Sequence, residues 1–275
     1  MRGLAKFVMI GRKQAFLAVL LLGLVPLANF LNPVIVGLVM LHKGTREAAY
    51  VLAWAILPVG AWAMVGDPVP LIMLIGISGL AYLLRETESW EFTLLAAIVI
   101  GVCVEFYHRL QPAVLDAVFL QFDAYLAVNS VQDFQPEQFR EVVTSFIGAV
   151  YMFLAIVLLM LARWMQAALY NPGGFRKEFH GLRIERKAAL LLLGLMLLAN
   201  FGVLVPTSWV WYLILPLMFS GLALIHSVVA WKKLSTMWLT ALYAFLMLPV
   251  VAQLLVLLAL IDSWYNFRAR FKSAV

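Results

Sequence analysis

Charged residues and cysteine are both scarce in this chain of 275 residues. Only 12% of the residues are Asp, Glu, Lys or Arg, whereas 65% are hydrophobic and the mean hydropathy is +0.98. A soluble domain of this size cannot bury that much apolar surface, so most of the chain must be solvated by lipid. The single cysteine, Cys103, lies in an apolar run, which excludes a disulfide framework and a thiolate metal site.

Familiar catalytic motifs are also missing. The chain has no Walker A, HExxH, paired CxxC or dinucleotide glycine fingerprint. One weak match, Gly76-Ile77-Ser78-Gly79, has the GxSG form of rhomboid-type intramembrane proteases, with His226 as the candidate base. Helix geometry puts Ser78 about 14 Å and His226 about 25 Å below the outer ends of their helices, too far apart for proton transfer. Close helix packing is the favoured interpretation, and we predict no enzyme, no cofactor and no metal.

The uncharged runs predict an all-α, polytopic transmembrane helical bundle of about eight to ten membrane segments, including short hairpins. These runs are Gln14–Leu41, Ala48–Gly66, Pro68–Leu84, Phe92–Val104, Val142–Ala162, Ala188–Trp231 and Leu234–Ile261. The run Ala188–Trp231 is long enough for two spans that turn near Pro206. For Leu234–Ile261, one tilted span and a hairpin broken at Pro249 both stay open, and the hairpin is favoured.

The longest basic stretch is Arg163–Lys187, which we call the basic island. It holds six cations against two glutamates, a net charge of +4, whereas segment 105–141 holds six acids against two arginines, a net charge of −4. Lys and Arg favour the cytoplasmic side of a bacterial inner membrane. We therefore predict a multi-pass inner-membrane protein with a cytoplasmic N-terminus, a cytoplasmic island and an external acidic segment.

This topology requires that Gln14–Leu41 form a tight hairpin, which we place at Asn32-Pro33, since a single span would put the island on the wrong side. Three parts follow: an N-terminal membrane half 1–162, the basic loop 163–187 and a C-terminal membrane half 188–275. The runs LLLGLVPLANF at 20–30 and LLLGLMLLANF at 191–201 echo one another. An internal duplication and a chance match of leucine-rich runs both stay open.

Polar residues that interrupt the apolar runs are the candidate ligand contacts. Glu105, His108 and Arg109 form a polar cluster where the short Phe92 span ends. Glu105 and Arg109 are four residues apart and can pair structurally, whereas the functional alternative is a ligand or proton site. For asparagines, helix-to-helix hydrogen bonds are the structural alternative. The predicted ligand-binding residues are Glu105, His108, Asn29, Asn32 and Asn200.

Two further segments are predicted to be amphipathic. Ala113–Val128 reads as a helix on the outer surface with Asp116 and Asp123 on one face, or alternatively as a re-entrant segment. In the island, a tight turn at 171–174 precedes Phe175, Phe179 and Leu182 at helical spacing. The cations beside these apolar residues predict either plain anchoring to anionic lipid or docking of a partner. The predicted docking residues are Arg176, Lys177, Arg183 and Arg186.

Several stretches resemble a known family. RWMQAALYNPGGFRKEFHGLRI, LANFG, PLMFSGLALIH and LALIDSWYNFR resemble the uncharacterised YybS-like family of bacterial membrane proteins. That family is similar in turn to the substrate-binding S-components of energy-coupling-factor vitamin transporters and to the rod-shape protein MreD. S-components typically dock through Ala-x-x-x-Ala on the first helix, where this chain has only Ala15 and Ala18. The resemblance carries over no substrate residues.

We therefore expect an S-component-like membrane protein that binds or helps to transport a small solute or a lipid-linked molecule. The alternative is a non-catalytic membrane scaffold that recruits partners through the basic loop. Expected partners are membrane lipids, a membrane or cytoplasmic protein and a small-molecule ligand, but not nucleic acid, because the net charge of +6 is explained by cytoplasmic loops.

Overall fold

The structure, a computed structural model, describes residues 1–113, 115–116, 118–122 and 136–273. Every regular element in these residues is helical, which confirms the all-α prediction. The helices are α1 (Arg2–Ile10), α2 (Arg12–Leu24), α3 (Asn32–Lys43), α4 (Thr45–Met64), α5 (Val69–Thr87), α6 (Trp90–Leu110), α7 (Pro136–Tyr170), α8 (Gly174–Gly181), α9 (Arg186–Asn200), α10 (Val210–Trp231), α11 (Met237–Phe245), α12 (Pro249–Tyr265) and α13 (Phe267–Ser273). Short 3₁₀ turns occur at Asn29–Leu31 and Thr207–Trp209.

Five of the described helices are long and apolar enough to cross a membrane. They are α4, α5, α6, residues Phe139–Tyr170 of α7, and α10 together with its preceding turn. Helices α11 and α12 pass the same test as a pair bent by 114°, which gives up to six. The shorter apolar helices α2, α3 and α9 complete a bundle of the predicted kind, so the chain has the build of a multi-pass membrane protein.

The first hairpin forms as predicted, but its turn lies elsewhere. Helix α2 ends at Leu24, and the chain turns through residues 25–31. Asn32 and Pro33, which we predicted to be the turn, begin α3 instead. Proline suits the first helical turn because the amide hydrogen it lacks would have no partner there. The Lys43 ammonium then donates to the Met9 carbonyl at 3.3 Å, so α3 returns to the end where the chain started.

The two C-terminal runs also turn back. Helices α9 and α10 are separated by residues 201–209, as predicted. Helices α11 and α12 are separated by residues 246–248, and Pro249 begins α12. At the far end of α12, Arg183 of the island donates to the carbonyls of Asp262 and Ser263 at 3.1 and 2.8 Å. The end of this pair therefore lies beside the island, in agreement with the broken hairpin.

One end of the bundle gathers the basic segments, and we call it the basic end. Arg2 donates to the Ala168 carbonyl at 3.1 Å, and the His42 ring stacks on Tyr170 with centroids 3.6 Å apart. Arg85 donates to the Met40 carbonyl at 2.9 Å. The N-terminus, the ends of α3 and α5, and the island thus lie together. We call the other end, where α6 finishes and α7 begins, the acidic end.

The bundle packs around α3 and around one close helix crossing. Residues 32–41 of α3 are all buried, against α4, α5 and α7. Helices α6 and α7 cross at Gly101 and Gly148, where a Cβ on Gly148 would lie 2.6 Å from the Gly101 carbonyl oxygen. Small residues are required at this crossing because they let the two backbones touch. Glu105 lies one turn beyond it.

Candidate binding groove at the basic end

Glu105, the leading ligand candidate, is 2% exposed, and both of its carboxylate oxygens are occupied. Oε1 accepts hydrogen bonds from Arg109 Nε at 2.9 Å and from Ser145 Oγ at 2.8 Å. Oε2 accepts one from the Tyr212 hydroxyl at 2.7 Å. Arg109 also lies 3.7 Å from Glu141. Three donors from α6, α7 and α10 thus satisfy one buried carboxylate, and this geometry supports the structural pairing of Glu105 with Arg109.

The other four predicted ligand residues do not join Glu105 in one site. His108 is 8% exposed, and its Nδ1 has no hydrogen-bond partner among the described residues. The same holds for Asn29 Oδ1 and for both amide atoms of Asn32, which lies against Gly23 of α2. Asn200 is exposed at the end of α9. Ligand contact at these residues stays a prediction.

A groove of about 1140 Å³ lies at the basic end. Four segments that are distant in sequence line it: 88–91 at the start of α6, 173–185 in the island, 227–231 at the end of α10, and 266–269 at the start of α13. None of the five predicted ligand residues lines this groove, but three of the four docking residues do, namely Arg176, Lys177 and Arg183. Arg186 does not line it.

Helix α8 forms the basic side of the groove and is attached firmly to the bundle. Arg163 of α7 binds Glu178 through two parallel hydrogen bonds of 2.8 and 2.6 Å. The Phe175 ring meets Trp90 edge-on at 6.4 Å, and Phe179 meets His226 at 5.3 Å. The apolar face of the predicted amphipathic helix is therefore packed on protein. Its free surface is the cationic one.

The acidic side comes from α6 and from the residue before α9. Glu91 Oε2 accepts a hydrogen bond from the backbone N–H of Glu185 at 2.7 Å, so the two glutamates meet across the groove wall. Glu88 lies three residues before Glu91, in the turn between α5 and α6, with a left-handed backbone at φ 51°. Acids and cations thus line one groove together.

A buried ionic cluster holds the island against α12 beneath this groove. Asp262 is fully buried, and its Oδ2 lies 3.9 Å from Arg183 Nε and 3.7 Å from Arg268 Nε. Arg268 also donates to the carbonyls of Leu182 and Ser220, the latter at 3.0 Å. Two guanidinium groups therefore share one carboxylate and fix the loop that follows α8. Neither Asp262 nor Arg268 is among the site residues predicted from the sequence.

Two groove groups outside the membrane spans have shifted proton affinities. Burial lowers the pKa of His180 below its ordinary value, and the positive charges of Arg176 and Arg268 and the nearby His226 lower it further. Burial likewise lowers the pKa of Arg268 to about 10, with Asp262 opposing the shift. At neutral pH, Arg268 is charged and His180 is neutral.

Trp90 is the most deeply buried polar group on the groove wall outside the ionic cluster. It is 7% exposed, and its indole N–H has no hydrogen-bond partner among the described residues. A buried donor without an acceptor is costly, and such groups in native structures call for an explanation such as a missing ligand or water. No sequence pattern indicates Trp90 as a groove residue, because it is far from the island in sequence and meets it only in the folded protein.

Ser78 and His226, the weak rhomboid-like match, have other partners. The Ser78 hydroxyl donates to the Leu74 carbonyl at 2.6 Å, and His226 Nε2 lies 2.8 Å from the Tyr243 hydroxyl. Gly76 packs against Ile100, where a Cβ would be 2.8 Å from the Ile100 side chain. These contacts are those of helix packing. Of the predicted Ala113–Val128 helix, residues 123–128, including Asp123, lie outside the described residues.

Comparisons with protein-family models, with curated proteins and with solved structures find no match to this chain. The YybS-like resemblance therefore stays a prediction.

Proposed function

We propose that this is a non-catalytic inner-membrane binding protein, S-component-like in architecture, that takes a small polar or lipid-linked ligand in the groove at the basic end and helps to transport it. The observation that carries the proposal is the groove itself: a space of about 1140 Å³ lined by cations, acids and Trp90, whose buried N–H has no partner among the described residues. Binding sites are typically concave, with a few convergent polar groups.

The surroundings of Glu105 support this location over the one predicted from the sequence. Its carboxylate is filled by donors from its own chain, so a ligand there would have to displace them. By the positive-inside rule, we place the basic end in the cytoplasm. The groove then lies at the inner face of the membrane, where the spans α5, α6 and α7 end or begin.

The alternative scaffold function has weaker support. Recruitment through the island would be strongest if an apolar helix face were free for a partner, as in helix-in-groove recognition. Phe175, Phe179 and Leu182 instead pack on the bundle. A partner would meet only exposed cations, which give steering more than affinity.

The test is a variant that fills the groove. Ala230 lines it, and Ala230→Trp should occupy much of its volume, whereas Ala53→Trp places the same side chain on the exposed face of α4. Each protein is extracted in mild detergent and analysed by native mass spectrometry. We expect a bound molecule on the wild type and on Ala53→Trp, and its loss from Ala230→Trp at an unchanged thermal midpoint. Equal retention by both variants, or no bound molecule on any of the three, would contradict the proposal.

A further inference from the structure

This inference rests on the proposed function and specifies the ligand's chemistry. We infer that the groove binds a head group that carries a phosphate and an ammonium group together, as in a zwitterionic phospholipid. The phosphate lies against Arg176 and Lys177 of α8, and the ammonium lies against Glu88 and Glu185.

These four charges are unpaired within the described residues although they share one groove. Within the described part of the chain, none of the four side chains has a hydrogen bond or a charge of opposite sign within 4.0 Å. The neighbouring Glu178, in contrast, is paired with Arg163. Unpaired cations and unpaired acids therefore line one groove, and a ligand that carries both charges can satisfy both kinds of side chain at once.

The unpaired cations and the unpaired acids come from different segments of the chain. Arg176 and Lys177 are consecutive on α8, and His180 follows one turn later on the same helix. The backbone N–H of Glu185 donates to Glu91, which follows Glu88 by three residues. A ligand with only negative charge would be repelled by three carboxylates, so an anion site alone does not explain this arrangement.

The anionic group of the ligand meets hydrogen-bond donors. The Arg176 and Lys177 side chains are donors only, and Trp90, which also lines the groove, has a buried N–H without an acceptor among the described residues. Phosphate presents more acceptor oxygens than a carboxylate and forms strong charge-assisted hydrogen bonds with Arg. The donor-rich wall therefore fits a phosphate best.

The position of the groove favours a lipid as the source of this head group. Trp90 and Glu91, the first residues of the membrane-spanning helix α6, line the groove, so we expect it at the level of the head groups of the facing leaflet. A soluble molecule such as O-phosphoethanolamine carries the same two charges. The experiment separates these sources.

Delipidated protein in detergent is titrated with dioleoyl phosphatidylethanolamine, phosphatidylcholine and phosphatidylglycerol, and bound lipid is counted by native mass spectrometry. Ethanolamine offers ammonium donors, choline offers a cation without donors, and glycerol offers no cation. We expect the affinity to fall in that order, with phosphatidylethanolamine about tenfold tighter than phosphatidylglycerol, a difference of about 1.4 kcal/mol. O-phosphoethanolamine is titrated in parallel by calorimetry, and tighter binding of it than of the lipid would assign the same chemistry to a soluble ligand.

Charge variants test each wall. Arg176→Gln with Lys177→Gln should weaken all three lipids about tenfold or more, a loss of about 1.4 kcal/mol. Glu88→Gln with Glu185→Gln should remove the preference for phosphatidylethanolamine. The matched control is Lys13→Gln with Arg46→Gln, which removes two exposed cations from the basic end without touching the groove, and it should bind like the wild type. All four groove residues are at least partly exposed, so these variants should fold normally.

The inference is overturned if phosphatidylglycerol binds as tightly as phosphatidylethanolamine and the glutamate variant changes nothing. It is also overturned if neither the lipids nor O-phosphoethanolamine bind. In both cases, loss of a co-purified molecule from Ala230→Trp would leave the proposed function standing with a different ligand. Retention of that molecule by Ala230→Trp would remove the proposed function as well.

Discussion

The Glu105 network and the groove at the basic end differ in whether their charged side chains have partners. Glu105 lies inside the bundle, and three donors of the same chain satisfy it. In the groove, Arg176, Lys177, Glu88 and Glu185 have no such partner within the described residues. A charge at membrane depth must be neutralised by its own protein, because lipid offers no hydrogen bonds. A buried charge such as Glu105 can therefore have a purely structural role. Unpaired charges at the end of the bundle are a better indication of a binding site.

The largest expected effect is a loss of stability at the α6–α7 crossing beside Glu105. Gly148→Ala would place a Cβ 2.0 Å from the Tyr212 hydroxyl and 2.6 Å from the Gly101 carbonyl oxygen, inside the helix crossing. Overpacking of this severity should lower the free energy of unfolding by about 3 kcal/mol or more. The measurement is the midpoint of SDS-induced unfolding in mixed micelles.

Gly194→Ala is the matched control for Gly148→Ala. Gly194 lies within α9, and a methyl group added to its Cα would have no neighbour within 4 Å, so alanine should be neutral or stabilising by about 0.5–1 kcal/mol. Ligand binding by Gly194→Ala should not change. If both variants shift the midpoint of SDS-induced unfolding by the same amount, the close contact of α6 and α7 at Gly148 is contradicted.

A smaller loss is expected when one donor to Glu105 is removed. Tyr212 is fully buried, and Tyr212→Phe leaves Oε2 of Glu105 without its 2.7 Å partner. An unsatisfied buried acceptor should cost about 1–3 kcal/mol in the free energy of unfolding. The thermal midpoint reports this loss, and head-group affinity at the groove should stay at the wild-type value.

Tyr82→Phe removes a hydroxyl from an exposed tyrosine of α5 and should change stability by less than about 0.5 kcal/mol. Placed in the Tyr212→Phe background, Gly148→Ala should cost less than it does alone, since its closest contact has gone. A Tyr212→Phe protein as stable as Tyr82→Phe would mean that Glu105 does not depend on this hydrogen bond.

Charge placement predicted the fold better than local turn chemistry did. The basic island predicted the first hairpin, because a single span across Gln14–Leu41 would have put the island on the wrong side of the membrane. Asn32-Pro33 was nevertheless misplaced, since this dipeptide suits the first turn of a helix as well as a loop. Likewise, α7 continues beyond the predicted span Val142–Ala162 to Tyr170, because a charge such as Arg163 marks the membrane boundary without ending a helix.

The site was predicted only in part, because its contacts are long-range. Arg176, Lys177 and Arg183 stood out as cations of the island, and all three line the groove. Asp262 pairs with Arg183 across 79 residues of sequence, and no periodicity or motif connects the two. The available signal was a lone acid at the end of an apolar run beside a basic tail. Asp262 can be recognised as a partner of Arg183 only when the hairpin at Pro249 places the end of α12 beside the island.

The smallest expected effect, on the groove side, concerns the pH response of His180. Burial, Arg176 and Arg268 lower the pKa of this imidazole in the folded protein, whereas the unfolded chain has the ordinary value near 6.5. As the pH falls through about 6.5, the unfolded chain therefore takes up a proton that the folded protein resists. The free energy of unfolding should decrease on acidification, and it should decrease less steeply in His180→Gln. The difference between the two proteins therefore reports His180 together with its interaction with the nearby His226.

Head-group binding should respond to pH in the opposite direction. A protonated His180 adds a third cation to the wall that holds Arg176 and Lys177, so a bound phosphate raises the pKa of the imidazole and binding tightens as the pH falls. Phosphatidylethanolamine affinity and the thermal midpoint without ligand are both measured from pH 7.5 to about 5.5. As the pH falls, the affinity of the wild type should rise while its thermal midpoint falls. Both changes should be smaller in His180→Gln. Affinity and stability that fall together would place His180 outside the binding wall. A wild-type midpoint that rises on acidification would contradict the lowered pKa itself.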